Sequence, residues 1–181
     1  MSKKIGVLVG SLREKSYNKA IAKELIKEAP EGFEFEMIPI GDLPFFDQDI
    51  EGNPPESWER FRQILREKDG YLFVTPEYNR SIPGVLKNAI DIGSRPYGES
   101  SWDGKPAGVV SVSIGAIGGF GANHHLRQVL SFLNLYTLPQ PEAYIGHAMS
   151  IVDEDGNVKD EREKEFLKNY MKAFGAWVNK F

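Results

Sequence analysis

Three short runs, Lys4–Val9, Gly70–Thr75 and Ala107–Val112, are apolar almost without alternation, and each ends in turn residues. Branched, strand-length runs of this kind read as strands covered on both faces, the condition of a parallel sheet between helix layers. The intervening segments change to helical spacing. Their stripes are Ile21, Leu25 and Ile26; Trp58, Phe61, Ile64 and Leu65; Val85, Leu86, Ala89 and Ile90; Ala122, Leu126, Val129, Leu130 and Leu133. The strongest stripe runs from Phe166 through Leu167, Tyr170, Met171, Phe174, Trp177 and Val178 to Phe181. Phe33–Ile38 alternates at first, which predicts a strand near the sheet edge, and Ala143-Tyr144-Ile145 predicts a short fifth strand. Five strands alternating with about five helices, without repeat or linker, predict a single α/β domain over 1–181. Its architecture is a doubly wound five-stranded parallel sheet with helices on both faces.

Such sheets bind ligands outside the carboxyl ends of their strands, beside the switch in strand order. Three loops fall there. Gly10-Ser11-Leu12-Arg13, with Ser16, Tyr17 and Asn18, joins the first strand to the first helix. Hydroxyls, an amide, a guanidinium and a helix N-terminus suit a phosphomonoester, although an ordinary strand-to-helix loop has similar composition. Pro76-Glu77-Tyr78-Asn79 follows the third strand and offers an aromatic face with polar groups, or simply a stiff turn. Ser113 to Gly121 follows the fourth; Gly115, Gly118 and Gly119 allow close approach to a flat ligand, or form a flexible connection. This stretch lacks the GxGxxG spacing of dinucleotide folds.

Composition narrows the ligand. A net charge of -4 opposes nonspecific nucleic-acid binding, and the absence of cysteine removes thiolate, disulfide and zinc-thiolate chemistry. No run reaches membrane-spanning length, and the first residues read as a strand rather than a signal peptide, so a cytoplasmic protein is expected. His124 and His125 diverge on a helix and predict surface or interface residues rather than metal ligands. Asp153-Glu154-Asp155-Gly156-Asn157 lacks calcium-loop spacing, so no metal site is expected. Phe45 and Phe46 either fold into the core, the favoured reading, or cover a ligand or a partner subunit. Lys87, Asn88 and Asp91 form a solvated face, unless Asn88 and Asp91 hydrogen-bond nearby loops.

Taken together, Gly10-Ser11-Leu12-Arg13 with Ser16 and Asn18, Pro76-Glu77-Tyr78-Asn79, and Pro83-Gly84 followed by Lys87-Asn88-Ala89-Ile90-Asp91 resemble the NADPH-dependent FMN reductase family. Gly118-Gly119 and His125-Leu126-Arg127-Gln128 extend the likeness, which is nearest to the quinone, azo-dye and chromate reductase branch. The resemblance implies a flavodoxin-like fold with strand order 2-1-3-4-5, noncovalent FMN, NADPH or NADH as donor, a small-molecule acceptor such as a quinone, and a homodimer or homotetramer. It implies that Ser11, Arg13, Ser16, Tyr17 and Asn18 hold the FMN phosphate. Pro76, Glu77, Tyr78 and Asn79 would border the isoalloxazine, with Ser113 and Gly115 on its other side. No side chain need act as acid or base; the flavin carries the hydride chemistry, in ping-pong turnover. The alternative is a flavodoxin-like carrier that passes electrons to a protein partner. Arg80 stands where such reductases often carry an aromatic residue or histidine. It either favours the extra phosphate of NADPH or is a solvated surface arginine.

Overall fold

The computed structural model describes residues 2–181. In chain order the elements are β1 (Lys3–Val9), α1 (Tyr17–Lys27), β2 (Phe33–Met37), α2 (Glu56–Arg66), β3 (Gly70–Thr75), α3 (Gly84–Gly93), β4 (Pro106–Val112), α4 (Phe120–Phe132), β5 (Tyr136–Thr137), β6 (Ala143–Ile145), α5 (Ala148–Ile151) and α6 (Glu161–Val178). All strand pairs are parallel, and the sheet runs β2-β1-β3-β4-β5. This is the flavodoxin-like order that the family resemblance implies.

The fifth position is occupied by two pieces rather than one strand. Tyr136–Thr137 pairs with Pro106 and Ala107, while Ala143–Ile145 pairs farther along with Val110 to Val112. The sequence reading found only the second piece, since two residues are too few to establish a period. A further departure is α5, a single turn that leaves no helical stripe.

The period of two along each central strand divides the core. One cluster joins Ile5, Val7, Val9, Leu72, Val74, Val110 and Val112 to α1 and α6 through Ile21, Leu25, Leu167, Tyr170 and Phe174. The other joins Leu8, Tyr71, Phe73, Ala107 and Val109 to α2, α3 and α4 through Trp58, Phe61, Leu65, Leu86, Ile90, Leu126 and Leu130. Both faces are thus sealed, which is why β3 and β4 are buried at every residue. Each large side chain so enclosed stabilises the fold by roughly 1.5–3 kcal/mol relative to exposure. The outermost β2 retains the alternating exposure that its sequence predicts. At Gly108 the α6 layer comes closest, where an added Cβ would lie 2.9 Å from the Tyr170 hydroxyl oxygen. Among the described residues, no helix is long and apolar enough to cross a membrane.

The loop after β2 corrects one expectation. Phe46 packs on the core and stacks against Trp58 at 5.5 Å, but Phe45 is 79% exposed rather than folded inward. Asn88 holds this loop from α3. Its Oδ1 accepts the Phe46 N–H at 2.8 Å, and its Nδ2 donates to the carbonyls of Leu43 (3.2 Å) and Pro44 (3.1 Å). Asp91 does not reach a loop with its side chain; it pairs with Lys87 at 2.7 Å on the exposed face. Replacing Asn88 with Ala strands buried backbone groups and should cost about 1–3 kcal/mol. Denaturant unfolding measures this; Asn88→Asp, which turns a carboxylate oxygen toward the Leu43 and Pro44 carbonyls, should be no more stable than Asn88→Ala.

Candidate functional site

Because β1, β3 and β4 are parallel, the loops that follow them emerge on one edge of the sheet. From β1 the chain passes to β2 on one side and then to β3 on the other, so the crevice opens at the change of direction. A cavity of about 230 Å³ lies there, open to solvent. Its wall contains Ser11, Arg13, Ser16, Tyr17, Asn18, Pro76, Glu77, Tyr78 and Ser113. Nine residues expected from the sequence therefore meet in one place. Asn79 and Gly115 do not line it: Asn79 lies at the tip of a hairpin, and Gly115 lies one residue beyond the wall. Val112, Ile114 and Ala148 line it without having been anticipated. They are small or apolar residues, which carry no chemical signature in a sequence.

The first loop is held close to the third strand. Gly10 donates its N–H to the Val74 carbonyl at 2.8 Å, and a Cβ there would lie 3.1 Å from Thr75 Oγ1 and 3.2 Å from Leu86 and Pro76 side-chain atoms. Ser16 is the N-cap of α1, with extended backbone (φ -86°, ψ 124°), and its hydroxyl accepts the Lys19 N–H at 3.4 Å. The first backbone bond of the helix is Ala20 N–H to Ser16 C=O, so the amides of Tyr17 and Asn18 precede the helical ladder and point outward from its positive end. Ser11, Ser16 and Asn18 are buried. Asn18 Oδ1 has no hydrogen-bond partner among the described residues. A buried amide of this kind normally bonds to something, so its oxygen is free to accept a hydrogen bond from a ligand. Arg13 is exposed, with its guanidinium 5.6 Å from the centre of the Tyr17 ring. Amides, hydroxyls and one exposed cation fit a phosphomonoester on a polyol chain.

The second wall is a tight hairpin after β3. Tyr78 and Ser81 exchange backbone hydrogen bonds of 2.9 and 3.0 Å, while Asn79 (φ 52°) and Arg80 (φ 64°) take the left-handed conformation of a two-residue turn. Ser81 Oγ lies 2.7 Å from His125 Nδ1, which ties the hairpin to α4. His125 thus serves a neighbouring loop; no group of three or more His, Cys, Asp or Glu that could hold a metal ion occurs among the described residues.

The third wall is the glycine-rich loop after β4. Gly118 and Gly119 have φ of 63° and 77°, and a Cβ on Gly118 would lie 2.5 Å from the Tyr144 carbonyl carbon. A polar chain that the sequence did not disclose fastens this loop from beneath. Ser111 Oγ donates to Gly118 C=O at 2.7 Å, and Asn123 Nδ2 donates to Ser111 Oγ and Ala143 C=O at 3.3 and 3.1 Å. Arg127 in turn donates to Asn123 Oδ1 and Leu138 C=O, each at 2.9 Å. Ser111 and Asn123 are fully buried; their pattern is visible only once β4, α4 and β6 are packed. A larger cleft of about 380 Å³ lies beyond Arg13, between the start of α1 and Asp153–Gly156. It gathers charges of both signs and misses the loops after β3 and β4, so the smaller cavity is the candidate site.

The family model described as NADPH-dependent FMN reductase matches residues 3–150. A quinone reductase from Pseudomonas putida is 53% identical over 175 residues, covering 96% of this chain and 94% of the relative. A 2-hydroxy-1,4-benzoquinone reductase from Burkholderia sp. is 47% identical over 178 residues, covering 98% and 97%. Among solved structures, FerB, a flavoenzyme NAD(P)H:(acceptor) oxidoreductase from Paracoccus denitrificans, superposes with a TM-score of 0.92 at 42% identity and 98% coverage of both chains. With the parallel sheet, the loops on one rim and matches across nearly its whole length, this chain belongs to the NADPH-dependent FMN reductase family.

Proposed function

We propose that the chain, as one domain over 1–181, is an FMN-dependent NAD(P)H oxidoreductase acting on quinones or similar small acceptors. The observation that carries this reading is the cavity in which Ser11, Arg13, Ser16, Tyr17 and Asn18 converge with Pro76, Glu77, Tyr78 and Ser113. The family match and the quinone reductase relatives support it. The balanced reaction is NAD(P)H + H⁺ + quinone → NAD(P)⁺ + hydroquinone.

Ser11, Ser16, Asn18 and the first amides of α1 would hold the FMN phosphate and the adjoining polyol, and Arg13 would neutralise part of its charge of about -1.5 to -2. Pro76 to Asn79 and Ser113 to Gly115 would border the isoalloxazine from two loops, with Asn79 and Gly115 contributing as outer supports. When bound, FMN supplies two-electron transfer between nicotinamide and acceptor. The protein contributes position, the exclusion of water on the sheet side, and access on the solvent side. The half-exposed Tyr78 stands at that opening.

A homodimer or homotetramer in the cytoplasm completes the proposal. Exposed aromatic residues such as Phe45, Tyr97 and Phe132 support self-association, because large apolar side chains in water favour contact. The net charge of -4 disfavours nucleic acid as a partner.

Anaerobic addition of NADPH or NADH to the FMN-loaded protein should bleach the flavin absorbance without any protein partner. Retained yellow colour with both donors would overturn the reductase assignment in favour of an electron carrier. Double-reciprocal plots at several quinone concentrations should give parallel lines, since donor and acceptor use the same open side in turn; convergent lines would show a ternary complex and defeat that arrangement. Arg13→Ala should weaken FMN binding by about 1.5–3 kcal/mol, the scale of a hydrogen bond to a charged group, while flavin-saturated turnover changes little. Fluorescence titration of apoprotein with FMN measures the first, and steady-state rates at saturating FMN the second.

A further inference from the structure

Glu77 puts a carboxylate in the wall of the cavity, with its side chain only 13% exposed. Reduction of a flavin adds negative charge to its surroundings, and an uncompensated anion nearby would oppose it. The fold supplies two compensating partners, one in the same hairpin and one in helix α4. Glu77 Oε2 accepts the Ala122 N–H at 3.0 Å, in the first turn of α4, and Oε1 accepts from Arg80 Nη1 at 3.2 Å.

Local sequence makes this contact possible. The left-handed turn at Asn79 and Arg80 brings the Arg80 side chain back to the residue three positions earlier. On the facing loop, a Cβ at Gly121 would lie 2.9 Å from Glu77 Oε2 and 3.1 Å from the Arg80 carbonyl, and one at Gly119 would lie 3.7 Å from Glu77 Cβ. Glycine at 121 therefore lets the hairpin approach the start of α4 closely. The Glu77 carboxylate thus bridges the β3 hairpin to the start of α4, the helix that follows the β4 loop.

We propose that Glu77 is a positioning residue that joins the β3 and β4 loops, and that the Glu77–Arg80 ion pair sets the reduction potential of the bound flavin. This rests on the flavin reading of the cavity. The two ends of the pair have opposite electrostatic consequences. Glu77→Gln keeps an acceptor for the Ala122 N–H but leaves the Arg80 charge without its counterion, which favours reduction. Arg80→Gln leaves the carboxylate with one partner fewer, which disfavours reduction. A role limited to holding the loops together predicts no such division of sign.

The test compares the unaltered protein with Glu77→Gln, Arg80→Gln and Glu77→Ala. FMN dissociation constants come from fluorescence titration, and midpoint potentials from anaerobic equilibration with a reference dye. The expected result is a raised potential in Glu77→Gln, a lowered one in Arg80→Gln, and, in Arg80→Gln, FMN affinity within a few-fold of the unaltered protein. Glu77→Ala, which frees both loops, should weaken FMN binding at least tenfold. Shifts of the same sign, or none, would overturn the proposal. Because the Arg80 side chain is 77% exposed, its variant remains folded even if the Glu77 variants do not, and an unchanged or raised potential there is sufficient to reject the idea. An unaltered protein that takes up no FMN would instead refute the flavin reading itself, a result distinct from a yellow protein whose potentials do not divide.

Discussion

The parallel pairing of β1, β3 and β4 between two helix layers is the constraint from which the remaining geometry follows. Parallel neighbours direct every strand's carboxyl end to the same edge, and the crossovers they require become the covering helices. Sealing both faces leaves the strands no polar surface of their own, so recognition is transferred to the loops on that edge. Gly10 shows the coupling directly: the turn out of β1 is hydrogen-bonded to β3 and packed against Thr75, Pro76 and Leu86. The loops after β1 and β3 are thereby parts of one rim.

That rim is braced from outside as well as from the sheet. The β3 hairpin is tied to α4 through Ser81 and His125, and again through Glu77 and Ala122. The glycine loop is tied down through Ser111, Asn123 and Arg127. Helix α4 is therefore the common support of the loops after β3 and β4, and its first turn is where the two sets of bonds meet. A site held by such crosslinks loses little ordering entropy when a cofactor enters, which favours tight noncovalent binding. Acidity of the protein as a whole does not conflict with the proposed binding of an anionic cofactor, since the first amides of α1 and Arg13 lie at the cavity, where the proposal puts its phosphate.

Much of this was legible in the chain because it depends on short-range pattern. Continuous apolar runs disclosed the buried strands, alternation disclosed the edge strand β2, and the residue types of Gly10 to Asn18 marked a turn whose residues meet in one cavity wall. The split fifth position was not legible, because β5 has two residues and its identity as a strand depends on pairing with Pro106 and Ala107. The different fates of Phe45 and Phe46 were equally hidden. Adjacent aromatics in a loop have the same local character, and only the bond from Phe46 to Asn88 on α3 determines which one turns inward. Arg80 reads as a free cation in sequence, yet in space it is a partner of Glu77.

The sequence by itself determined the layer architecture, the helices and central strands, and the chemical character of the loops, because periodicity and residue type act within a few residues. Only the tertiary structure decided which of those loop residues share a wall, which polar side chains support them, and that Glu77 and Arg80 form a pair against α4. Those outcomes depend on contacts between segments tens of residues apart, whose distances and orientations arise only when the sheet has closed and the helices have packed upon it.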